Sequence, residues 1–145
     1  RKHNMLIGYA TAEEIKMTVG TAIKPEKGKG KTMEIKGRDL VNGVPRQMKI
    51  GQSEMEEALA QPVGRIIEGI KTALEATPPE LAADIVDKGI VLCGGGSLLH
   101  GLDELIRHET GLPVVQAEDP LTCVVRGSGK ILENMKQLGQ VLRLN

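Results

Sequence analysis

The 145-residue chain has no tryptophan and no phenylalanine, and Tyr9 is its one aromatic side chain. Single-stranded nucleic acids are gripped largely by stacking bases on aromatic faces, so that mode of binding is excluded. The core has to be built from Leu, Ile, Val, Met and Ala. A purine bound here would lie against aliphatic side chains and glycine backbone. Nor is there an excess of either charge: 19 basic residues face 19 acidic ones, which excludes binding nucleic acid by bulk electrostatics. Cysteine is scarce. Cys93 and Cys123 both fall in apolar patterns, which predicts buried free thiols of a cytosolic protein ahead of a disulfide or a metal site. No apolar run reaches the length of about 18 residues that a membrane helix needs, and no signal-peptide pattern is present. The first residues are Arg1-Lys2-His3-Asn4 rather than Met, which reads as a piece of something longer.

What the sequence does have is glycine in one telling place. Ile90-Val91-Leu92-Cys93 is an apolar run without alternation, as in a strand covered on both faces of a parallel sheet. It leads straight into Gly94-Gly95-Gly96. The carboxyl end of such a strand is where open α/β sheets bind ligands, and glycine lets a ligand approach the backbone without meeting a Cβ. A tight strand-to-helix turn with no ligand fits the same residues. The pattern is neither a Walker loop nor the dinucleotide fingerprint.

The remaining elements follow in order. Thr11-Ala12-Glu13-Glu14 is a capping-box pattern, opening a helix that carries Ile15 and Val19 and ends near Gly20. Before it, Arg1 to Asn4 read as the tail of a preceding helix. Glu13 and Lys16, three apart on that helix, are by themselves an ordinary solvated pair. Lys24 to Lys31 is a basic, solvated loop. Residues 32–36 and 46–50 alternate in polarity around Gly37, Asn42-Gly43 and Pro45, as in a hairpin. Ser53-Glu54-Met55-Glu56 is a second capping box, before a long helix with an apolar stripe from Met55 to Leu74. Pro62 is expected to kink or interrupt it about one turn earlier. Thr77-Pro78-Pro79-Glu80 reads as a third cap, for a short helix through Val86.

After the glycines, Leu98 to Ile106 predicts a helix, Pro113 to Ala117 a strand, and Asp119-Pro120 the start of a helix through Met135. In that helix Gly127 and Gly129 allow close packing on the sheet, and the last ten residues fray. The expected core is Ile15, Leu59, Ile66, Ile70, Leu74, Ile85, Val91, Leu92, Leu102, Ile106, Val114 and Val124. The fold class is α/β, with a parallel pair of strands.

Six stretches together carry a resemblance. They are Thr11 to Gly20, Gly37 to Pro45, Pro78-Pro79-Glu80-Leu81-Ala82-Ala83-Asp84-Ile85, the Gly89 to Leu99 turn, and Glu109 to Val114 followed by Glu118-Asp119-Pro120-Leu121-Thr122-Cys123-Val124. In order and spacing they resemble the MreB family of bacterial actin homologues over essentially the whole chain. The resemblance implies a fragment of the actin-like ATPase fold. Residues 1–60 would be the small subdomain (IIB-like) and residues 61–145 the C-terminal part of the large one (IIA-like).

It further implies that Gly94, Gly95 and Gly96 lie along the adenosine and α-phosphate of ATP, and that Glu13 and Lys16 frame its adenine and ribose. Thr18 departs from the pattern, standing where many relatives carry glutamate. The phosphate hairpins, the catalytic carboxylates and most of the Mg2+ site would lie outside this chain. On that basis the stretch alone is expected to hydrolyse no ATP. The implied function is a cytoplasmic cytoskeletal ATPase whose head-to-tail filaments at the inner membrane direct wall synthesis and rod shape. Its partners would be itself and cell-shape and wall-synthesis membrane proteins, with membrane contact through parts outside this chain and no nucleic acid. Other readings are a chaperone-type or sugar-kinase-type ATPase relative, or a non-catalytic interaction module. The hairpin and the Pro78 to Val86 stretch favour the first.

Overall fold

A computed structural model describes residues 2–138. The chain begins with a turn over Lys2–Asn4 where the end of a helix was expected, and then forms a two-residue strand, β1 (Met5–Leu6). Helix α1 (Tyr9–Val19) starts behind Gly8, the last extended residue after β1, with the Ala12 N–H bonded to the Gly8 carbonyl at 3.0 Å. Thr11 is therefore inside the helix and is not its cap. β2 (Thr32–Asp39) and β3 (Pro45–Gly51) form the expected hairpin, and β1 adds to it as a third antiparallel strand. Two residues are too few to show any period, so β1 left no sequence signal.

β3 runs directly into α2 (Gln52–Glu75), one residue ahead of the cap placed at Ser53. The Glu54 carboxylate accepts the Gly51 N–H at 3.1 Å, so the reach-back comes from Glu54 rather than Glu56. Pro62 does not interrupt this helix, which runs unbroken for 24 residues. Proline removes one N–H from a helix; here it does so on the exposed side, where water can serve the freed carbonyl. α3 (Pro79–Lys88) has Pro78 at its cap position. The Thr77 hydroxyl instead donates back to the Ala73 carbonyl at 2.8 Å, closing α2.

β4 (Ile90–Leu92) pairs in parallel with β5 (Val114–Gln116). Between them the chain makes a short 3-10 turn over Gly95–Leu98, breaks, and forms α4 (Leu102–Thr110), so the helix expected from Leu98 onward begins four residues later. α5 (Cys123–Glu133) begins behind Thr122, not Asp119, because residues 119–122 are spent on a separate turn in which Thr122 donates to the Asp119 carboxylate at 2.6 Å. α6 (Met135–Leu138) ends the described residues; most of the expected fraying segment lies beyond them.

Two apolar clusters result. Ile15 and Val19 of α1 pack with Ile35 and Ile50 of the three-stranded sheet. Val63 and Ile67 of α2 pack with Leu102 and Ile106 of α4 and Val114 of β5, with Leu59, Ile70, Ile90 and Leu92 against them. α2 thus serves both, through Met55 at one end and Val63 onward at the other. Leu74 and Ile85 are half-buried, whereas Ile66 is exposed because the stripe runs through positions 59, 63, 67 and 70.

The main departure is at β4. Ile90 and Leu92 turn to the core, but Val91 is 62% exposed, beside Val115 of β5 at 54%. Successive strand residues face opposite ways, and α5 covers nothing on that second face. Val124 and Val125 are themselves exposed, and an added Cβ at Gly127 or Gly129 would meet no atom within 4 Å. Neither glycine packs on the sheet, and Val124 is not a core residue. The cysteines follow the same logic. Cys93 lies exposed at the open end of β4 and Cys123 is half-exposed on α5; both are free, but neither is buried.

Candidate functional site

The glycine turn is held from three sides. The Gly94 N–H donates to the Pro120 carbonyl at 2.7 Å. Ser97, itself buried, donates its hydroxyl to the Gly94 carbonyl at 2.8 Å. The Gln116 amide at the end of β5 donates to the Ser97 carbonyl at 2.8 Å. Gly94 has φ +79°, a left-handed conformation that favours glycine on backbone grounds alone. Gly95 and Gly96 have no such constraint. An added Cβ at Gly96 would meet nothing within 4 Å, and at Gly95 only Leu121 Cδ2 at 3.5 Å, an ordinary contact. The chain's own packing therefore does not require glycine at either position. The backbone there is left open to approach.

Glu13 and Lys16 stand on the last two turns of α1 as an ion pair of 2.6 Å, each side chain about half-exposed. Among the described residues their partner is each other; neither bonds to the glycine turn. The two sets are nevertheless joined structurally. One turn past Lys16, α1 ends at Gly20, and the next residue, Thr21, makes a parallel bridge to His100, four residues beyond Gly96. The Ala22 N–H donates to the His100 carbonyl at 2.8 Å. Thr21 and His100 lie 79 positions apart, so no local pattern could have brought them together. Nothing in the sequence singled out Ser97 or Gln116 as a residue that holds the turn.

A cavity of about 290 Å³ lies elsewhere, under the three-stranded sheet, lined by Met5, Ile15, Ile35, Met48 and Met55 among others. None of the five expected site residues borders it. It is the open end of the first apolar cluster. Among the described residues no group of three or more His, Cys, Asp or Glu is placed to hold a metal ion, and no helix is long and apolar enough to cross a membrane.

The fold is that of the actin-like ATPases, of which this chain is a fragment. A structure of Spiroplasma citri MreB5 bound to AMPPNP superposes with a TM-score of 0.87 at 34% identity, over 98% of this chain and 42% of that one. A subunit of the MamK double helical filament, at 24% identity and a TM-score of 0.70 over 92% of this chain and 40% of that one, shares the fold.

The family model for the MreB/Mbl protein matches residues 1–140, and the chain belongs to that family. It is 49% identical over 139 residues to the cell shape-determining protein MreB of Escherichia coli K12, covering 96% of this chain and 40% of that protein. It is 46% identical over 138 residues to the cell shape-determining protein Mbl of Bacillus subtilis 168, covering 95% of this chain and 41% of that one. The chain thus spans about two-fifths of the length of these curated relatives.

Proposed function

We propose that this chain is the adenosine-side portion of an actin-like cytoskeletal ATPase that assembles head to tail into filaments at the inner membrane and directs wall synthesis and rod shape. Residues 1–60 would act as its small, IIB-like subdomain and residues 61–145 as part of its large, IIA-like one. The observation that carries the reading is the open backbone at Gly95 and Gly96, which the chain's own packing does not explain. The S. citri relatives, solved with AMPPNP and with ADP, support a nucleotide as the occupant.

In this reading Gly94, Gly95 and Gly96 lie along the adenosine and α-phosphate. The Glu13 carboxylate accepts from the ribose hydroxyls, and the Lys16 methylene stem covers one purine face. Bound ATP supplies the phosphoanhydride whose hydrolysis weakens assembly. Mg2+ and the groups that act on the γ-phosphate would come from parts of the polypeptide outside this chain, as would contact with the membrane and with wall-synthesis proteins. A phosphate-transfer site needs a positioned metal and a base or water-orienting group. This stretch alone is therefore proposed to be inactive.

The test is ADP affinity in the full-length gene product. Gly95→Val places a branched side chain on the open backbone and abolishes binding while the far-ultraviolet spectrum is kept. Lys16→Ala weakens binding by about 1 kcal/mol, as for one half-exposed contact. Parent-like affinity in both variants would reduce the glycines to a turn and end the reading.

A further inference from the structure

The small cluster is joined to the large one at two places: by α2, which serves both, and by the segment after α1 that runs beside the segment after the glycine turn. At the second place sits Thr21, a hydroxyl residue that is 1% exposed. Its Oγ1 donates to the Ile23 carbonyl at 2.8 Å and lies 3.3 Å from both the Ile23 N–H and His100 Nδ1. Around it the Ala22 N–H reaches the His100 carbonyl, and Gly101 has φ +74°, with room for no Cβ because Ile23 Cγ1 would lie 2.4 Å away. The segment after α1 is thus pressed against the segment after the glycine turn, with Ala22 packed on the large cluster, and a buried hydroxyl bonds groups of both. Burying a polar group costs free energy unless it is bonded. A valine of the same shape would fill this space without that demand, so filling space does not explain the hydroxyl.

Position supplies an explanation. Thr21 is five residues past Lys16 and His100 four past Gly96, so the contact is close along the chain to each half of the proposed adenosine site. We propose that Thr21 and His100 form a clasp that sets the spacing between Glu13–Lys16 and the glycine turn, making both of them positioning residues for the nucleotide. The part about affinity rests on the nucleotide reading above; the part about spacing does not. A misplacement of about 1 Å is enough to cost binding and catalysis dearly, which is why a contact touching no ligand would matter.

Two measurements on the full-length gene product decide it, in a background with Cys93, Cys123 and every other cysteine of that product replaced by serine. Spin labels at K36C on β2 and E104C on α4, both exposed positions, report the distance between the two units, and titration with a fluorescent ADP analogue reports affinity. T21V is expected to broaden the distance distribution and weaken binding about tenfold, as when only about a tenth of the free protein keeps the binding-competent spacing. T21S, which restores the hydroxyl, returns both to the parent values; a role in packing alone would not be rescued this way, since serine packs less well than valine. H100A, at an exposed side chain, shifts both in the same direction by less, and it decides the matter if T21V does not fold. Parent-like spacing and affinity in a folded T21V, or in H100A where T21V is unfolded, overturns the clasp. A parent protein that binds no ADP overturns the nucleotide reading instead. Broadening in T21V then still establishes the clasp.

Discussion

Asp39 shows how one side chain shapes a turn. Its carboxylate accepts the Val41 N–H at 2.8 Å and the Asn42 N–H at 3.4 Å, and pairs with Arg46 at 3.2 Å. The Val41 amide chiefly holds the Asp39 pKa below the usual carboxylate range; partial burial works against it, and the Asn42 amide and Arg46 add to it. A pKa lower in the folded than in the unfolded state gives stability that is complete above the ordinary value of about 3.9 and is lost as pH falls through the folded value. Acid should therefore loosen the tip of the β2–β3 hairpin before the rest. Asp39→Asn should remove that pH dependence, followed by amide exchange at Val41 and Asn42 between about pH 5 and 2. If the Asn variant keeps the parent's acid profile, another group sets it. Locking this tip has a visible cost in exposure, because Leu40, Val41 and Val44 are all presented to solvent.

At the scale of elements, burial separates residues that look alike in sequence. Ile106 on α4 is wholly buried and Val91 on β4 mostly exposed. Ile106→Ala should cost about 2–5 kcal/mol in a urea melt of this chain. Val91→Thr should stay within about 0.5 kcal/mol, as at an ordinary surface position. Equal costs would mean that the second face of β4 is covered in solution. Pro62 offers the opposite test. Because α2 is continuous through it, Pro62→Ala restores an N–H without relieving any break, and the melting temperature should rise. A fall would mean the proline ring is packed.

The same contrast explains what was legible from sequence. The helix stripe over 59–70 and the hairpin carry local periods, and the strand before Gly94 was legible as an unbroken apolar run; these formed where expected, while the helix after the glycines kept its stripe over 102–106 but began later. The caps at Thr11, Ser53, Thr77 and Asp119 failed because helix starts here were set by where strands and turns ended, and a cap pattern can sit a residue or more inside. Val91 and Val124 were misplaced because apolarity predicts that a residue prefers cover, not that this stretch provides it. The site glycines were legible as a motif. What holds them, Gln116 and Pro120, was not, since those contacts depend on how β4 and β5 pair.

For the whole molecule, neutral net charge offers no long-range repulsion between copies. A head-to-tail contact does not close on itself, so this chain should self-associate weakly and open-endedly at millimolar concentration. Light scattering against concentration would show it; strict monomers, or a closed dimer, would contradict it. The continuous α2 and the Thr21–His100 contact, taken as the proposed clasp, also have a kinematic consequence. A body held at two points retains one free rotation, about the line that joins them. The small unit should therefore not tumble or slide against the large one. It should swing like a door on two hinges.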